Sequence, residues 1–581
     1  MDPASQTVLI LLVGVVVVIG GVLALRLHAF LALILGALVV AGLTPAERIE
    51  QTAVRESAAT LVDAGRFSGF VHPVTDEPLT LDGDEVVLRV PRGQTLLPEM
   101  AAVVLPQDLE LADLADTRDR PVLEVTRLAK AVGSDDRREN VALARVRRAN
   151  HAEAVEPGAL AIPPDKLKSA RDLASRRTIA DRVADGFGKT CGQIGILIAM
   201  ASIIGKCLLD SGAADRIVRS SLRLLGERRA PVAFVGSGFL LGIPVFFDTV
   251  FYLMVPLGKA MRMRTGRNYL LYVLTIVAGA TMAHSLVPPT PGPLFVAEQL
   301  NVRLGTMILA GCVVGLFTAT VGYAYAQVAN RLWSLELRES PDLSIRDLEE
   351  IAARDESDLP PTWLSLVPIL LPVVLIGGYT ILETSVATRT GWMRAAATIG
   401  DKNIALVLSA AIAMATLVWQ KRTHLSELAR SVQSALAGAG VIILITAAGG
   451  AFGTVLQQTG VAGLIGELSA TEPTIVVALA FLITAAVRTA QGSATVAMIT
   501  AVGILGGLAG QLSFHPVYLA LAIGCGSKPI AWMNDSGFWV ITKMSGMTEV
   551  EGLKYVTPMT ALMGVAGLGA VMIGVKLFPL V

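Results

Sequence analysis

The segment LLGIPVFFDTVF, residues 240–251, places a glycine, a proline and an aspartate in the middle of an apolar stretch that runs from 231 to 258. A second apolar stretch, 474–511, contains RTAQGSATVA at 488–497, with an arginine and small polar residues at its centre. Such residues interrupt a helix and leave backbone groups unpaired, which lipid does not tolerate unless protein or a water-lined cavity surrounds them. Both stretches therefore predict helix-break-helix hairpins inside a membrane protein rather than simple spans.

The composition supports a membrane protein. Of 581 residues, 53% are hydrophobic and only 17% are charged, and the mean hydropathy is +0.61. A soluble chain carries roughly 25% charged residues, so a soluble globular fold is excluded. The formal net charge is zero, which removes any global electrostatic attraction to nucleic acid. The four cysteines show neither a disulfide framework nor metal-ligand spacing, and no cofactor or metal is predicted.

Nine stretches are long and apolar enough to cross a bilayer, which takes about 20 residues. They are 6–25, expected to be an uncleaved helix, and 28–44, 191–209, 269–287, 304–327, 363–382, 403–419, 435–457 and 556–578. The predicted loops 210–230 and 259–267 are rich in arginine and lysine and should be cytoplasmic. The first hairpin, 231–258, therefore enters and leaves on the cytoplasmic side. The flanks of the second hairpin, 459–473 and 506–516, contain no lysine or arginine, so this hairpin should enter from outside.

Hairpins of opposite sidedness are what an inverted repeat predicts. A weak internal similarity agrees, because five residues ahead of the first hairpin recur at a fixed offset ahead of the second. They are Gly205, Leu208, Gly212, Ala214 and Ile217, matched by Gly453, Leu456, Gly460, Ala462 and Ile465. The fold class predicted is an all-α polytopic membrane protein with two inverted repeats, re-entrant hairpins and broken helices, and with a small α+β soluble insertion.

Residues 45–185 form this insertion, because charges and prolines return there and no apolar run reaches spanning length. Residues 79–88 (LTLDGDEVVL) predict a hairpin about an Asp-Gly turn, and 137–153 (RRENVALARVRRANHAE) predict a helix with a basic face. That face is either a lipid or partner surface or, as we favour, a solvated face. If 210–230 is cytoplasmic, the insertion lies outside the membrane.

Four motifs in the same order resemble the gluconate:proton symporter (gluconate permease) family of the ion-transporter superfamily. They are GIPVFFD at 242–248, HSLVPPTPGP at 284–293, GSATVA at 492–497 and NDSGFW at 534–539. The similarity covers about 1–44 and 186–581. This chain departs from the family pattern at Thr290, where a second histidine is usual, and in its Lys528-Pro529 pair.

The spans, the loop charges and the resemblance together predict a domain order and a localisation in the bacterial inner membrane. The order is 1–44 N-terminal transmembrane helices, 45–185 extracytoplasmic insertion, 186–330 first transport repeat, 331–434 linker and connecting transmembrane helices, and 435–581 second transport repeat. The implied activity is secondary active transport, as proton-coupled symport of gluconate or a related sugar acid or small hydroxycarboxylate. The partners are the small anionic substrate, protons and the lipid bilayer; a homodimer is left open.

The breaks supply the candidate site. Half-helix N-termini attract a carboxylate, and hydroxyl and amide side chains bind hydroxyls. The substrate-binding candidates are Thr249, His284, Ser285, Arg488, Gln491, Gly492, Ser493, Thr495 and Asn534. The proton-coupling candidates are Asp248 and Asp535, since a carboxylate within an apolar segment is a functional candidate by default. The sequence leaves open a static Asp248–Arg488 ion pair, and whether Lys528 binds the anion or pairs with Asp535.

Two other functional interpretations remain open. A sodium-coupled carboxylate carrier fits equally well, because unwound carbonyls also bind Na⁺. From a different class, a membrane-anchored sensor would use the 45–185 insertion to bind a ligand, but the four helix breaks argue against it. The chain is not expected to be an enzyme, because it contains no nucleophile elbow, metal motif or ATP-binding loop.

Overall fold

The computed structural model describes residues 3–580 except 74, 83, 91–95, 108, 110–112, 115–116, 118–119, 134–137, 149–155, 339–358, 386–390, 422–424, 462–471 and 511. The helices ahead of the transport core are α1 (Pro3–Leu23), α2 (Ala29–Leu43), α3 (Ala46–Ser57) and α4 (Pro164–Ser175). The next are α5 (Ile179–Asp210), α6 (Ala213–Leu225), α7 (Ala230–Gly242), α8 (Phe247–Thr265), α9 (Tyr269–Leu286), α10 (Pro291–Gln299) and α11 (Leu304–Leu332). Three connecting helices follow, α12 (Thr362–Ser385), α13 (Gly391–Ile399) and α14 (Lys402–Lys421). The last are α15 (Leu425–Gln457), α16 (Pro473–Gln491), α17 (Ala494–Leu505), α18 (Val517–Gly526), α19 (Ser536–Ser545) and α20 (Glu549–Leu577).

The predicted spans all fall on helices. Within the described residues, eight helices are long and apolar enough to cross a membrane, counting α9 and α10 as one. Seven of them are predicted spans, and the eighth is α16. The first two predicted spans form α1, of 21 residues, and α2, of 15 residues; α2 is followed by α3 at a bend of 100°.

The two predicted loops are largely helical. The range 210–230 contains α6, whose arginines lie on an amphipathic helix, and the range 259–267 is mostly the last part of α8. Their basic residues remain close together at one end of the molecule, because Arg264 of α8 forms an ion pair with Glu227 just before α7. The start of α7 and the end of α8 are therefore neighbours.

Two series of helices follow the same order. A long helix, α5 or α15, comes before a helix-break-helix pair, α7–α8 or α16–α17. A broken helix follows, α9–α10 or α18–α19, and then a second long helix, α11 or α20. The long helices α5 and α15 pack on each other along their lengths. Of the recurring sequence pattern, Ala462 and Ile465 lie outside the described residues.

The two broken helices run in opposite directions. Tyr269, at the start of α9, donates a hydrogen bond to the Ser545 carbonyl at the end of α19. The backbone N–H of His515, just ahead of α18, donates a hydrogen bond to the Pro579 carbonyl beyond α20. Helix α9 therefore begins at the end of the molecule where α19 finishes.

The described residues of the insertion form eight strands. They are β1 (Ala59–Val62), β2 (Phe67–Val71), β3 (Pro78–Leu79), β4 (Glu85–Arg89), β5 (Ala101–Leu105), β6 (Val122–Gly133), β7 (Arg138–Arg148) and β8 (Leu160–Ile162). The order β6-β5-β8-β1-β4-β7 closes on itself through antiparallel β6–β7 pairing, and β2–β3 extend from the far half of β6. Alternate residues such as Leu61, Leu88, Leu123 and Val125 form one buried cluster. The insertion is thus a six-stranded barrel packed against α3 and α4.

Two local predictions for the insertion are wrong. Residues 138–148, predicted as a helix, form strand β7, because pairing with β4 on one edge and β6 on the other outweighs their helix propensity; residues 149–153 lie outside the described ranges. The predicted hairpin at 79–88 does not form, because β3 pairs with β2 while β4 pairs with β1 and β7.

The insertion is fixed to the helices at one end of the molecule. Arg182, at the start of α5, is buried and donates hydrogen bonds to the Ala41 carbonyl (2.6 Å) and to Gln458 (2.9 Å). A Cβ added at Gly460 would lie 3.2 Å from the Thr52 hydroxyl of α3. Helices α2, α3, α5 and α15 therefore meet at this end.

Candidate substrate site

A cavity of about 350 Å³ lies where the helices of both series are interrupted. Helices α8, α10, α17 and α19 begin at this cavity, since residues of their first turns or N-caps line it: Asp248 of α8, Pro291 of α10, Ser493 of α17 and Asp535 of α19. A helix N-terminus carries unpaired N–H groups and the positive end of the helix dipole. The four helix dipoles therefore add positive partial charge at the cavity, which also contains the side chains of Arg488, Lys528, Asp248 and Asp535.

The first break follows directly from the sequence. Helix α7 ends at Gly242, and the chain turns through Pro244 before α8 begins at Phe247. Proline has no backbone N–H, so Pro244 cannot donate the next hydrogen bond of α7. The extended backbone of Phe246 (ψ 143°) then starts α8 with its N-terminus at the cavity.

The second break depends on Gly492. Its φ of +79° is a left-handed conformation that L side chains rarely adopt. A Cβ at this position would overlap the carbonyl of Asn534. The glycine therefore allows the α16–α17 break to lie directly against the break between α18 and α19. Ser493 then caps α17 by accepting a hydrogen bond from the Val496 N–H (3.3 Å).

Arg488 supplies a buried cation at the cavity. It is 5% exposed, its Nε donates to the Ser527 carbonyl at 3.1 Å, and its Nη2 pairs with Asp535. Its Nη1 is buried and has no hydrogen-bond partner among the described residues. A buried guanidinium N–H without a partner is costly, so this nitrogen is a donor available to a bound anion.

Asp535 is engaged at both oxygens. Oδ1 accepts a hydrogen bond from the Gly537 N–H at 2.9 Å and so caps α19, and Oδ2 pairs with Arg488. The static Asp248–Arg488 ion pair is therefore not formed. Lys528 does not pair with Asp535 either: its Nζ donates to the Thr281 carbonyl at 3.1 Å, and it lines the cavity.

Asp248 and His284 come from the first series of helices, whereas Arg488 comes from the second. Asp248 is half-buried in the first turn of α8, and its carboxylate lines the cavity. His284 also lines it, with a buried Nδ1 that has no partner in the described structure. Its ring packs edge-on against Phe246, with the centroids 6.0 Å apart. The cavity thus holds two groups able to exchange a proton.

Comparison with known proteins identifies the chain. The sequence pattern of the GntP family permease matches residues 174–577. The chain belongs to the GntP permease family. It is 32% identical to the gluconate permease of Pseudomonas aeruginosa over 66% of this chain and 85% of that one. It is likewise 32% identical to the low-affinity gluconate transporter of Escherichia coli K12 over 67% and 86%.

A solved structure shares the fold. The MtrF protein of Neisseria gonorrhoeae, described as one of a class of antimetabolite efflux pumps, aligns with a TM-score of 0.53 and 14% identity. The alignment covers 75% of this chain and 90% of that one. This likeness shows a common fold, and the family assignment makes the chain a multi-pass permease of the inner membrane.

The structure of this permease brings six of the predicted site residues to the cavity wall: Asp248, His284, Arg488, Ser493, Thr495 and Asp535. Thr249, Ser285, Gln491, Gly492 and Asn534 lie beside the breaks but outside the lining. Asn534 donates to the Thr489 carbonyl at 2.7 Å and so joins the two breaks. The Ser285 hydroxyl and the Gln491 amide are buried without partners in the described structure.

Some lining residues are missing from the sequence prediction. Thr281 lies one turn before His284, and Val277 one turn earlier, so helical periodicity along α9 would have found them. Thr446 of α15 and Thr560 of α20 give no such signal, since they come from helices far away in sequence. Within the described residues, no three His, Cys, Asp or Glu side chains group as a metal site.

Proposed function

We propose that this permease imports gluconate or a related sugar acid across the inner membrane by symport with protons. The observation that carries the proposal is the unpartnered Nη1 of buried Arg488 at a cavity that four helix N-termini face. Both features stabilise a carboxylate. The relatives named gluconate permease and gluconate transporter support the choice of a sugar acid.

The rest of the cavity suits a chain of hydroxyls. Ser493, Thr495 and Thr560 contribute hydroxyl groups, and Lys528 contributes a second cation. Each hydroxyl can donate and accept, as can each hydroxyl of a sugar acid. Apolar walls from Phe246 and Ile445 complete the cavity. An anion with several hydroxyls matches this lining better than an apolar carboxylate does.

Proton coupling is assigned to Asp248. Its carboxylate lies in the cavity and has no ion-pair partner among the described residues, whereas Asp535 is held by Arg488 and by the cap of α19. A carboxylate that is free to be protonated at the substrate cavity links the proton to the substrate. Sodium coupling is the alternative that the experiment below distinguishes.

We further infer that the two helix series are inverted repeats with re-entrant hairpins. The Arg264–Glu227 ion pair brings both ends of the α7–α8 hairpin to one end of the molecule. A Cβ at Gly506, after α17, would lie 2.9 Å from Gln457, at the end that carries the insertion. The hairpins therefore approach the cavity from opposite ends, which supports alternating access about a fixed central site.

Uptake into proteoliposomes tests the function. Purified full-length protein should accumulate labelled gluconate when the pH gradient is inward-acidic, without sodium. Arg488→Gln should weaken gluconate binding at least ten-fold, since charge-assisted hydrogen bonds contribute roughly 1.5–3 kcal/mol. Exposed Arg430 gives a matched control, since Arg430→Gln should leave binding unchanged. Accumulation that follows a sodium gradient alone would refute proton coupling, and unchanged affinity in folded Arg488→Gln would refute the anion site.

A further inference from the structure

A second cavity of about 270 Å³ lies beneath the insertion. Its walls come from α3 of the insertion, from α5, and from the ends of α10 and α15. Helix α3 contributes Thr52, which packs next to Gly460 after α15. The insertion is therefore a structural part of this cavity.

The lining is dominated by neutral polar groups. Five carboxamides face the cavity: Gln193, Gln299, Asn301, Gln457 and Gln458. The hydroxyls of Thr52, Thr190 and Thr454 add to them. Carboxamides and hydroxyls both donate and accept hydrogen bonds, so this lining complements a ligand with several hydroxyl groups.

The charged groups of the lining compensate each other or have partners elsewhere. Glu298 forms an ion pair with Lys402, and Glu56 lies close enough to Lys189 to interact with it electrostatically. The lining itself carries two carboxylates and one ammonium group, and Lys402 outside the lining balances Glu298. It suits the hydroxyl chain of a sugar acid, whereas the first cavity suits the carboxylate.

The two cavities lie on the same two helices. Helix α10 lines the substrate cavity at Pro291 and the second cavity at Glu298, and α15 does so at Thr446 and Thr454. Seven or eight residues at 1.5 Å per residue separate the two sites by about 10–12 Å on either helix. The second cavity therefore lies close to the substrate cavity along α10 and α15.

The layer between the cavities is a tight helix seam. A Cβ at Gly450 of α15 would overlap Thr190 of α5, and one at Gly453 would lie 2.9 Å from Gly503 of α17. Thr190 is also a wall of the second cavity. The two cavities are therefore separated by close packing of α5, α15 and α17.

We propose that the second cavity is an outer binding site for the polyhydroxylated chain of the transported sugar acid, and that α3 of the insertion forms its wall. The inference rests on the proposed function, because the same substrate then passes to the central site. It also gives the insertion a role in transport: α3 completes a site that the GntP core, matched from residue 174 onward, does not complete alone.

Protection of introduced cysteines tests the outer site in full-length protein whose four native cysteines are replaced. A thiol reagent should label Gln193→Cys more slowly when gluconate is present, by about three-fold or more at saturating ligand. Gln457→Cys gives a second position if Gln193→Cys does not fold. Lys168→Cys, on the exposed face of α4, is the matched control and should react equally fast with and without gluconate.

Removal of the central site separates the two proposals. In the Arg488→Gln background, or with Thr281→Trp filling the substrate cavity if Arg488→Gln does not fold, protection of Gln193→Cys should persist. Loss of protection in that background, or no protection at all in a transporting protein, would overturn the outer site. Failure of the cysteine-less parent to transport or bind gluconate would overturn the proposed function instead.

Discussion

At the residue scale, Asp248 and Asp535 illustrate how environment separates two similar groups. Both are aspartates at the start of a helix that begins at the cavity. Asp535 is fixed by Arg488 and by the Gly537 N–H, so removing it would leave a buried guanidinium unpaired. Asp248 has the cavity beside it. Asp535 therefore holds Arg488 in place, and Asp248 is the group to which we assign proton exchange in our proposal.

Asp248→Asn should uncouple transport from protons. The amide mimics the protonated acid, so the loaded carrier still reorients and exchanges gluconate in counterflow. It has no proton to release, so accumulation driven by a pH gradient should vanish. Both activities are measured in the same proteoliposomes, with Asp185→Asn, an exposed aspartate of α5, as control. Retained accumulation would remove the role from Asp248, and loss of counterflow as well would make it a substrate ligand.

Gly492→Ala should destabilise the second break. The alanine would have to adopt φ near +79° and overlap Asn534, and the left-handed conformation alone costs about 1–2 kcal/mol. Gly188→Ala is the control with the opposite sign: Gly188 lies inside α5 with open space around it, where alanine gains about 0.8–1 kcal/mol. The thermal midpoint should fall for the first variant and rise or stay constant for the second. An unchanged midpoint in Gly492→Ala would show that the break tolerates a side chain.

At the scale of elements, the membrane helices were predictable and the insertion was not. A membrane span can be recognised from its local sequence, because about 20 consecutive apolar residues must satisfy their own backbone hydrogen bonds. Strand β7 depends on partners elsewhere in the chain: residues 138–148 include good helix formers, yet β4 and β6 bind both of their edges. Strand β3 differs, because it pairs with its near neighbour β2; the predicted partner, β4, pairs instead with β1 and β7.

The residues of the candidate site also divide into those that the sequence predicts and those that it does not. The break residues Asp248, Arg488 and Ser493 were visible because charge and small residues interrupt apolar runs. Thr446 and Thr560 were not, because nothing local in α15 or α20 indicates which face meets the cavity. The second cavity also could not be predicted from the sequence, because it forms only where α3 packs against α15.

Within the barrel, Glu85 should make the insertion sensitive to acid. Burial alone raises the pKa of its carboxyl, but hydrogen bonds from Arg127, Thr126 and the Asp82 N–H outweigh it, so the pKa lies below its ordinary value. A lowered pKa contributes stability that is complete above the unfolded-state value, about 4.3, and is lost as pH falls through the folded-state value. Stability of the barrel should therefore fall below about pH 4.

Glu85→Gln should remove this dependence and weaken the barrel at pH 7 by about 1–3 kcal/mol. Hydrogen-exchange protection of β4 and β7 in the full-length protein reports both effects. Glu124→Gln is the control, because the Glu124–Arg147 pair is largely exposed and contributes about 0–1 kcal/mol. Equal protection in Glu85→Gln and the parent would show that the Glu85 hydrogen bonds do not stabilise the barrel.

At the scale of the whole molecule, the two ends differ in charge. The insertion, the start of α1 and the end of α15 lie together, as the hydrogen bond from Thr7 to the Thr459 carbonyl shows. The far end carries the basic residues of α6 and the end of α8, with Arg26 in the turn after α1 and Arg331 at the end of α11. Short basic loops remain in the cytoplasm, so the insertion should lie outside.

Cysteine labelling checks this orientation. The native Cys191, Cys207, Cys312 and Cys525 are first replaced, and single cysteines are introduced at exposed positions of either end: Lys168→Cys in α4, Leu224→Cys in α6 and Met263→Cys in α8. In right-side-out membrane vesicles, an impermeant maleimide should label Lys168→Cys directly and the other two only after permeabilisation. Because the start of α7 and the end of α8 are neighbours, Leu224→Cys and Met263→Cys must behave alike.

Labelling of Met263→Cys from outside, with Leu224→Cys protected, would show that α7–α8 crosses the membrane. This result would remove the re-entrant hairpin and with it the inverted repeat. Labelling of both from outside, with Lys168→Cys protected, would keep the hairpin and reverse the orientation, so that α3 would close the inner rather than the outer approach to the substrate site.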